Sequence, residues 1–260
     1  MPANNEARSL AVFCDFENVA LGVREAKYAQ FDMEKVLERL LLKGSIVVKK
    51  AYCDWERYKE FKGAMHAASF ELIEIPHLRQ SGKNSADIRM VVDALDLCYT
   101  KGHVDTFVIV SGDSDFSPLV SKLRENAKTV IGVGVKNSSS DLLIANCDEF
   151  IYYDDLVRED DHKRRAAKKR KEATLAGGDK QNEAFDFILE TLNALIAERG
   201  EGERIWGSMV KQALKRRKPG FNESYYGFRA FSDLLEEAEK KGMIKLEPDE
   251  KSGGYLIRPA

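Results

Sequence analysis

The chain has 260 residues, of which 43% are hydrophobic and 32% charged, and its formal net charge is −2. Because a typical domain has about 150 residues, we expect one or two domains. The composition excludes a disordered, collagenous or mucin-like protein. Its apolar runs are far shorter than the ~18 residues of a membrane span, so we expect no membrane association. The first ten residues contain no apolar segment, which predicts that there is no secretory signal.

Charge is distributed unevenly along the chain. Residues 1–157 contain 19 basic and 24 acidic side chains, residues 158–179 contain eight and five, and residues 180–260 contain 14 of each. Within the middle segment, residues 162–171 carry seven cations and no acid. This basic decamer is typical either of a contact with a polyanion or of a solvated linker helix. We therefore predict domains at 8–157 and 180–260, joined by a basic linker at 158–179.

Short apolar runs alternate with helical patterns through the first domain. The predicted strands are 10–16, 45–53, 71–75, 106–110, 129–135 and 150–152. The predicted helices are 33–42, 55–69, 85–99, 116–126 and 141–146. Strands separated by helices of this length form right-handed crossovers. The pattern therefore predicts an α/β fold, with a parallel sheet sandwiched by helices.

Carboxylates follow the ends of two of these strands. Asp15 ends the first strand and is followed closely by Asn18, while Asp113 and Asp115 follow the strand at 106–110. Asp87 lies in the first turn of the helix at 85–99. Because parallel sheets bind ligands at the carboxyl ends of their strands, we expect these residues to converge. Clustered carboxylates suit Mg²⁺ or Mn²⁺.

Each of these residues also has a simpler explanation. Asp113 and Asp115 are good candidates for a helix N-cap, and Asp87 would stabilise the start of its helix. Asp15 and Asn18 could each satisfy a local turn. No P-loop motif is present, and the glycines at 132 and 134 are weak support for a dinucleotide site.

The first domain contains four notable motifs, D-F-E-N at 15–18, K-N-S-A-D at 83–87, S-G-D-S-D-F at 111–116 and N-S-S-S-D-L-L at 137–143. Together they resemble the NYN domain, a branch of the PIN-like, metal-dependent ribonucleases. The resemblance extends over residues 10–156. The chain is also similar to the LabA-like group of NYN proteins. It implies that Asp15, Asp87, Asp113 and Asp115 hold the metal and that Asn18 orients the substrate. Asp93, further along the same helix, is left outside this ligand set.

The second domain has three amphipathic segments followed by a hairpin pattern. Helices are predicted at 184–199, 205–214 and 222–240, and strands at 244–246 and 255–257. This order is typical of a winged-helix domain. The segment 221–236 resembles the OST-HTH or LOTUS domain. The resemblance implies RNA binding, with a protein as a second candidate partner. Phe228 and Phe231 are predicted to be core residues.

Cations, one asparagine and one aromatic ring form a candidate RNA-binding set. In the first domain and the linker these residues are Lys83, Asn84, Lys163, Arg164, Arg165, Lys168, Lys169 and Arg170. In the second domain they are Lys211, Lys215, Arg216, Arg217, Lys218, Tyr226 and Arg229. Cations contact phosphates and a tyrosine ring can stack on a base, although the same cations could merely cap a helix.

Two classes of function follow. The favoured hypothesis is a cytoplasmic, metal-dependent ribonuclease whose second domain holds the RNA. The alternative is a catalytically weak regulatory or RNA-binding scaffold. The four cysteines include no C-x-x-C pair, which is typical of reduced thiols in a cytosolic protein. A phosphatase with a carboxylate nucleophile is disfavoured, because Glu17 stands where that chemistry places a second aspartate.

Overall fold

The computed structural model describes residues 8–28, 31–75, 85–160, 180–200, 202–249 and 254–260. By contact density the chain divides into two compact units, Met1–Arg165 and Ala166–Ala260. Each unit is described separately below. Among the residues described, none of the helices combines the length and hydropathy that crossing a bilayer requires.

The first unit is built on a six-stranded parallel sheet. Its strands are β1 (Arg8–Asp15), β2 (Gly44–Cys53), β3 (Glu71–Glu74), β4 (Thr106–Val110), β5 (Thr129–Gly134) and β6 (Glu149–Tyr152). The helices are α1 (Phe16–Glu25), α2 (Met33–Lys43), α3 (Lys59–Ala67), α4 (Ser85–Thr100), α5 (Ser117–Glu125), α6 (Asp141–Asn146) and α7 (residues 153–160). Two short 3₁₀ turns, Ser114–Phe116 and Lys136–Ser138, follow β4 and β5.

The strand order, β3-β2-β1-β4-β5-β6, confirms the predicted α/β sheet sandwiched by helices. Successive side chains of β1 point to opposite faces of the sheet. Leu10, Val12 and Cys14 therefore join one apolar core, while Ala11 and Phe13 join the other. Because the sheet is buried on both faces, β4 is buried throughout and is apolar after Thr106, as parallel strands usually are.

The strand order also positions the candidate site. The chain leaves β1 toward β2 on one side and reaches β4 on the other, so the order reverses between β1 and β4. In open parallel sheets this reversal opens a crevice at the carboxyl ends of the two strands. Asp15 ends β1, and Ser111 follows β4 directly.

All six strands and all five helices predicted for the first unit are observed, with shifts at their ends. The helix expected at 55–69 begins only at Lys59, after a turn. The strand expected at 10–16 ends at Asp15, because Phe16 already belongs to α1. The sequence patterns missed α1 and α7.

The second unit contains three helices and a two-stranded antiparallel sheet. They are α8 (Lys180–Arg199), α9 (Gly207–Arg217), α10 (Phe231–Lys240), β7 (Ile244–Pro248) and β8 (Tyr255–Pro259). Trp206 adds an isolated bridge to Leu256 of β8. This arrangement agrees with the predicted winged-helix architecture, and Phe228 and Phe231 are buried as expected.

The prediction of one continuous helix at 222–240 is wrong. A short 3₁₀ turn, Glu223–Tyr226, ends at Gly227, whose φ of 89° lies in the left-handed region. Glycine adopts this conformation without the steric cost that other residues pay. The chain therefore turns at Gly227, and α10 begins only at Phe231.

Candidate metal centre

Asp15 joins the ends of the two central strands. Its Oδ1 accepts a hydrogen bond from the backbone N–H of Asn18 at 3.3 Å, which caps α1. Its Oδ2 accepts one from the hydroxyl of Ser111 at 3.0 Å. Only 8% of Asp15 is exposed. The local turn considered from sequence is therefore present, and the same carboxylate also ties β1 to the segment after β4.

Asn18 makes a second tie between these segments. Its Oδ1 accepts a hydrogen bond from the backbone N–H of Gly112 at 2.9 Å, and the carbonyl of Gly112 accepts one from Ser140 N–H at 2.9 Å. A Cβ at Gly112 would lie 2.3 Å from the carbonyl oxygen of Ser138. Only glycine fits at this close approach, which brings the D-F-E-N, S-G-D-S-D-F and N-S-S-S segments together.

Asp113 caps the 3₁₀ turn that follows β4. Its Oδ1 accepts a hydrogen bond from the backbone N–H of Asp115 at 3.0 Å, and its own N–H donates to Ser111 Oγ at 3.2 Å. The capping role suggested by the sequence is thus observed. Asp113 is half-buried, whereas Asp115 is exposed.

The aspartates share one electrostatic environment. Burial raises the pKa of Asp15 to about 7, and repulsion from Asp87 and Asp113 adds to this effect. The hydrogen bonds from Asn18 and Ser111 only partly oppose it. Burial raises the pKa of Asp87 to about 6, with further repulsion from Asp113, Asp115 and Glu17. Three segments therefore bring mutually repelling carboxylates to the same end of the sheet.

This donor set has the chemistry that a hard divalent cation prefers, because every candidate ligand is a carboxylate oxygen. A bound cation would also offset the repulsion that raises the pKa of Asp15 and Asp87. In the part of the chain that the structure describes, however, no group of three or more His, Cys, Asp or Glu side chains is arranged to hold a metal ion. The carboxylates thus fit a metal by their chemistry and location, and coordination would require them to approach one another.

An ion pair at this edge was not predicted from the sequence. Arg57 Nη1 lies 3.2 Å from Glu17 Oε1, and the two side chains are 52% and 32% exposed. Arg57 follows the end of β2, the strand beside β1. The strand-end rule that selected the aspartates would have found Arg57 as well if it had been applied to cations.

Asp93 has a different environment from Asp87, although both lie on α4. Its carboxylate accepts hydrogen bonds from Tyr52 Oη at 2.9 Å and Arg89 Nε at 2.9 Å, and Lys50 Nζ lies 3.3 Å away. Burial alone would raise the pKa of Asp93, but these partners lower it. Asp93 therefore anchors α4 to the sheet and stands apart from the candidate ligand set.

Several predicted RNA-binding residues lie outside the described residues. They are Lys83, Asn84, Lys163, Arg164, Arg165, Lys168, Lys169 and Arg170.

In the second unit, three of the predicted cations already have partners within the protein. Lys211 Nζ lies 3.0 Å from Glu223, and Arg217 Nη2 lies 2.7 Å from Glu190. Lys218 Nζ lies 4.4 Å from the centre of the Phe187 ring. The guanidinium of Arg217 is largely withdrawn from solvent, because only 7% of its side chain is exposed.

The remaining candidates differ in their accessibility. Lys215 and Arg229 are exposed, while burial and the nearby Arg199 lower the pKa of Arg216. Tyr226 stacks on Phe221 with ring centres 5.3 Å apart. Its neighbour Tyr225 is 61% exposed. The ring predicted to stack on a base is that of Tyr226, whereas the more accessible ring in the structure is that of Tyr225.

Residues 9–154 match the NYN domain. The chain belongs to the NYN domain family. NYN domains have a PIN-like, nuclease-type fold and are generally nucleases, and the match includes every proposed metal ligand.

Two known proteins are similar to part of this chain. An uncharacterised protein of Methanocaldococcus jannaschii is 29% identical over 117 residues, which are 45% of each protein. The match thus spans less than half of that relative. A crystal structure of a protein of unknown function from Vibrio parahaemolyticus is 28% identical, with a TM-score of 0.52. That similarity covers 60% of this chain and 98% of the Vibrio chain.

Proposed function

We propose that this NYN protein is a metal-dependent ribonuclease that hydrolyses RNA phosphodiesters. The observation that carries the proposal is the convergence of Asp15, Asp87 and Asp113 at the reversal between β1 and β4. Mutually repelling carboxylates cost stability unless a ligand compensates for them, and such sites are commonly functional. The family's general nuclease character agrees with this reading.

Asp15, Asp87, Asp113 and Asp115 are the proposed metal ligands. A bound Mg²⁺ or Mn²⁺ would supply charge stabilisation at the phosphate and would lower the pKa of a bound water. The protein's own task is to hold the carboxylates in position. The bond from Ser111 orients Asp15, and the bond from Asp115 N–H orients Asp113.

Arg57 and Asn18 are proposed to act on the substrate. Arg57 is exposed and is balanced by Glu17 in the free protein. A phosphate arriving at this edge would compete with Glu17 for the guanidinium, which can bind it through two hydrogen bonds. Asn18 is held by Gly112 N–H, so its amide group has a fixed direction when the substrate binds.

The second unit is proposed to be an OST-HTH or LOTUS domain that binds RNA. The same domain is a candidate binding site for a protein partner. The exposed Lys215, Arg229 and Tyr225 support this reading, because they offer phosphate-binding cations and a stacking ring. Membership of the LabA-like group, a cytoplasmic location and domain limits at 8–157 and 180–260 belong to the same proposal. The free thiols of all four cysteines agree with a reducing compartment.

The second candidate is a catalytically weak RNA-binding scaffold. One observation favours it: no group of carboxylates within the described ranges is arranged to hold a metal ion. Incubating the full chain with labelled single-stranded and structured RNA, in Mn²⁺, Mg²⁺ or EDTA, separates the candidates. Cutting that requires the metal supports the nuclease, whereas binding without cutting in any metal supports the scaffold.

A further inference from the structure

An apolar stripe lies on the solvent side of α4. Ile88, Val92 and Tyr99 are 62%, 55% and 65% exposed, and the half-buried Leu95 lies between the last two. The four residues are separated by four, three and four positions. This spacing keeps them on one narrow face of a helix and matches the apolar positions of a coiled coil. We call these four residues the α4 seam.

Ile88, Val92 and Tyr99 of the α4 seam lie away from the face of α4 that packs on the sheet, while Leu95 also packs against the core beneath it. Met90, Ala94 and Cys98 form that inner face and are buried. Six large apolar side chains of the described residues are strongly exposed, and three of them belong to the seam. Single exposed apolar residues are ordinary, but a continuous apolar stripe usually marks an interaction surface.

The charges beside the α4 seam indicate what covers it. Arg89 and Asp96 lie seven positions apart and flank the seam on the same side. If two copies of α4 pack antiparallel about a two-fold axis, Ile88 of one copy meets Tyr99 of the other, and Val92 meets Leu95. The same rotation brings Arg89 of each copy opposite Asp96 of the other. A parallel two-fold pairing would instead place Arg89 of one copy and Asp96 of the other on opposite sides of the seam, where they could not pair.

We propose that the protein forms a two-fold symmetric dimer in which the α4 seams of two copies pack antiparallel. Each interface is self-complementary, as two-fold symmetry requires. Arg89 already lies 2.9 Å from Asp93 and remains 57% exposed, so it can bridge Asp93 and the Asp96 of a second copy. The dimer would also fix α4, whose first turn carries Asp87. The proposal does not depend on the nuclease activity.

The mass of the full chain in solution tests the dimer. Sedimentation equilibrium should give twice the chain mass of 29.3 kDa. Val92→Glu should yield monomers, because it buries a charge from each copy in the seam. Leu142→Glu is the matched control, since Leu142 is 58% exposed on α6 and outside the seam. A monomeric wild type, or a Val92→Glu variant that dimerises as the wild type does, would overturn the proposal.

A charge exchange tests the direction of pairing without introducing a buried charge. Asp96→Arg should weaken dimerisation by about tenfold or more, because it faces Arg89 of the second copy. Adding Arg89→Asp should restore dimerisation. Thermal melts establish that each variant is folded. Equal dissociation constants for the single and double variants would refute the proposed pairing.

Cross-linking provides a direct distance test. A mixture of Ile88→Cys and Tyr99→Cys chains should form mixed covalent dimers under mild oxidation. Each variant alone should cross-link little, because antiparallel packing separates like positions. Self-linked Ile88→Cys dimers without mixed dimers would indicate parallel packing and contradict the proposal. The wild type, with its four native cysteines, measures the background.

Discussion

The candidate functional residues of the two units differ in how their charges are compensated within the protein. In the first unit, the charges of Asp87 and Asp113 help to raise the pKa of Asp15, and the pKa of Asp87 is raised in turn by Asp113. In the second, Lys211 and Arg217 are matched with Glu223 and Glu190. Uncompensated repulsion at a strand edge is expected where a ligand binds. Matched pairs at a surface need no ligand and contribute little to stability.

The largest effect is expected from changing one proposed metal ligand. Asp113→Asn keeps the shape and one oxygen but removes a charge that the metal needs, so RNA cleavage should fall by roughly 10²-fold or more. Asp186→Asn, an exposed carboxylate on α8, is the control. Initial rates on labelled RNA, with circular dichroism to check folding, measure the effect. Cleavage at the wild-type rate by Asp113→Asn would refute the metal-site assignment.

The next prediction concerns stability rather than activity. The pKa of Asp15 is raised to about 7, above its ordinary value. The carboxyl group of Asp15 therefore holds its proton more tightly in the folded protein than in the unfolded chain. The resulting stabilisation of the fold is lost as the pH rises from about 4 to about 7. Asp15→Asn can retain the oxygen that caps α1. Without metal, we expect it to increase the free energy of unfolding at pH 8 by about 1–3 kcal/mol.

Asp93 provides a control of opposite sign in the same unit. Its pKa is lowered by Tyr52, Lys50 and Arg89, which overcome the effect of burial. Its contribution to stability is present above the ordinary carboxyl pKa and is lost as the pH falls. Urea titrations at about pH 3 and pH 8 should show Asp93→Asn destabilised more at pH 8, because the loss begins only below the ordinary carboxyl pKa. If both variants were destabilised equally at pH 8, the contrast between the two carboxylates would be wrong.

The sequence predicted the sheet and the strand-end aspartates because both depend on local patterns. Alternating apolar runs set the strands, and a parallel sheet sends their carboxyl ends to one edge. It could not predict the stack of Tyr226 on Phe221 or the pairing of Arg217 with Glu190, because these contacts depend on how helices pack. The break at Gly227 was missed because its neighbours still fit a helical pattern. Arg57 was missed because the strand-end rule was applied to carboxylates and not to cations.

The basic decamer, residues 162–171, lies in the sequence between the repelling carboxylates of the first unit and the matched ion pairs of the second. It lies outside the described residues. Changing Lys163, Arg164, Arg165, Lys168, Lys169, Arg170 and Lys171 to Gln should weaken RNA binding more at low salt than at high salt. Each lost phosphate contact removes a share of the counterion release, so the plot of log affinity against log salt should become shallower. An unchanged slope would identify the decamer as a solvated linker.

The smallest effect distinguishes an exposed cation from a matched one within the second unit. Arg229 is exposed, so Arg229→Gln should reduce the salt slope of RNA binding by roughly one unit and leave the melting temperature unchanged. Arg217 is paired with Glu190 and also contacts Thr191, so Arg217→Gln should lower stability by about 1 kcal/mol and leave the slope unchanged. Fluorescence anisotropy at several salt concentrations, together with thermal melts, measures both quantities for both variants. If Arg217→Gln changes the slope and Arg229→Gln does not, the RNA-binding surface includes the matched cation, and the contrast between the two units fails.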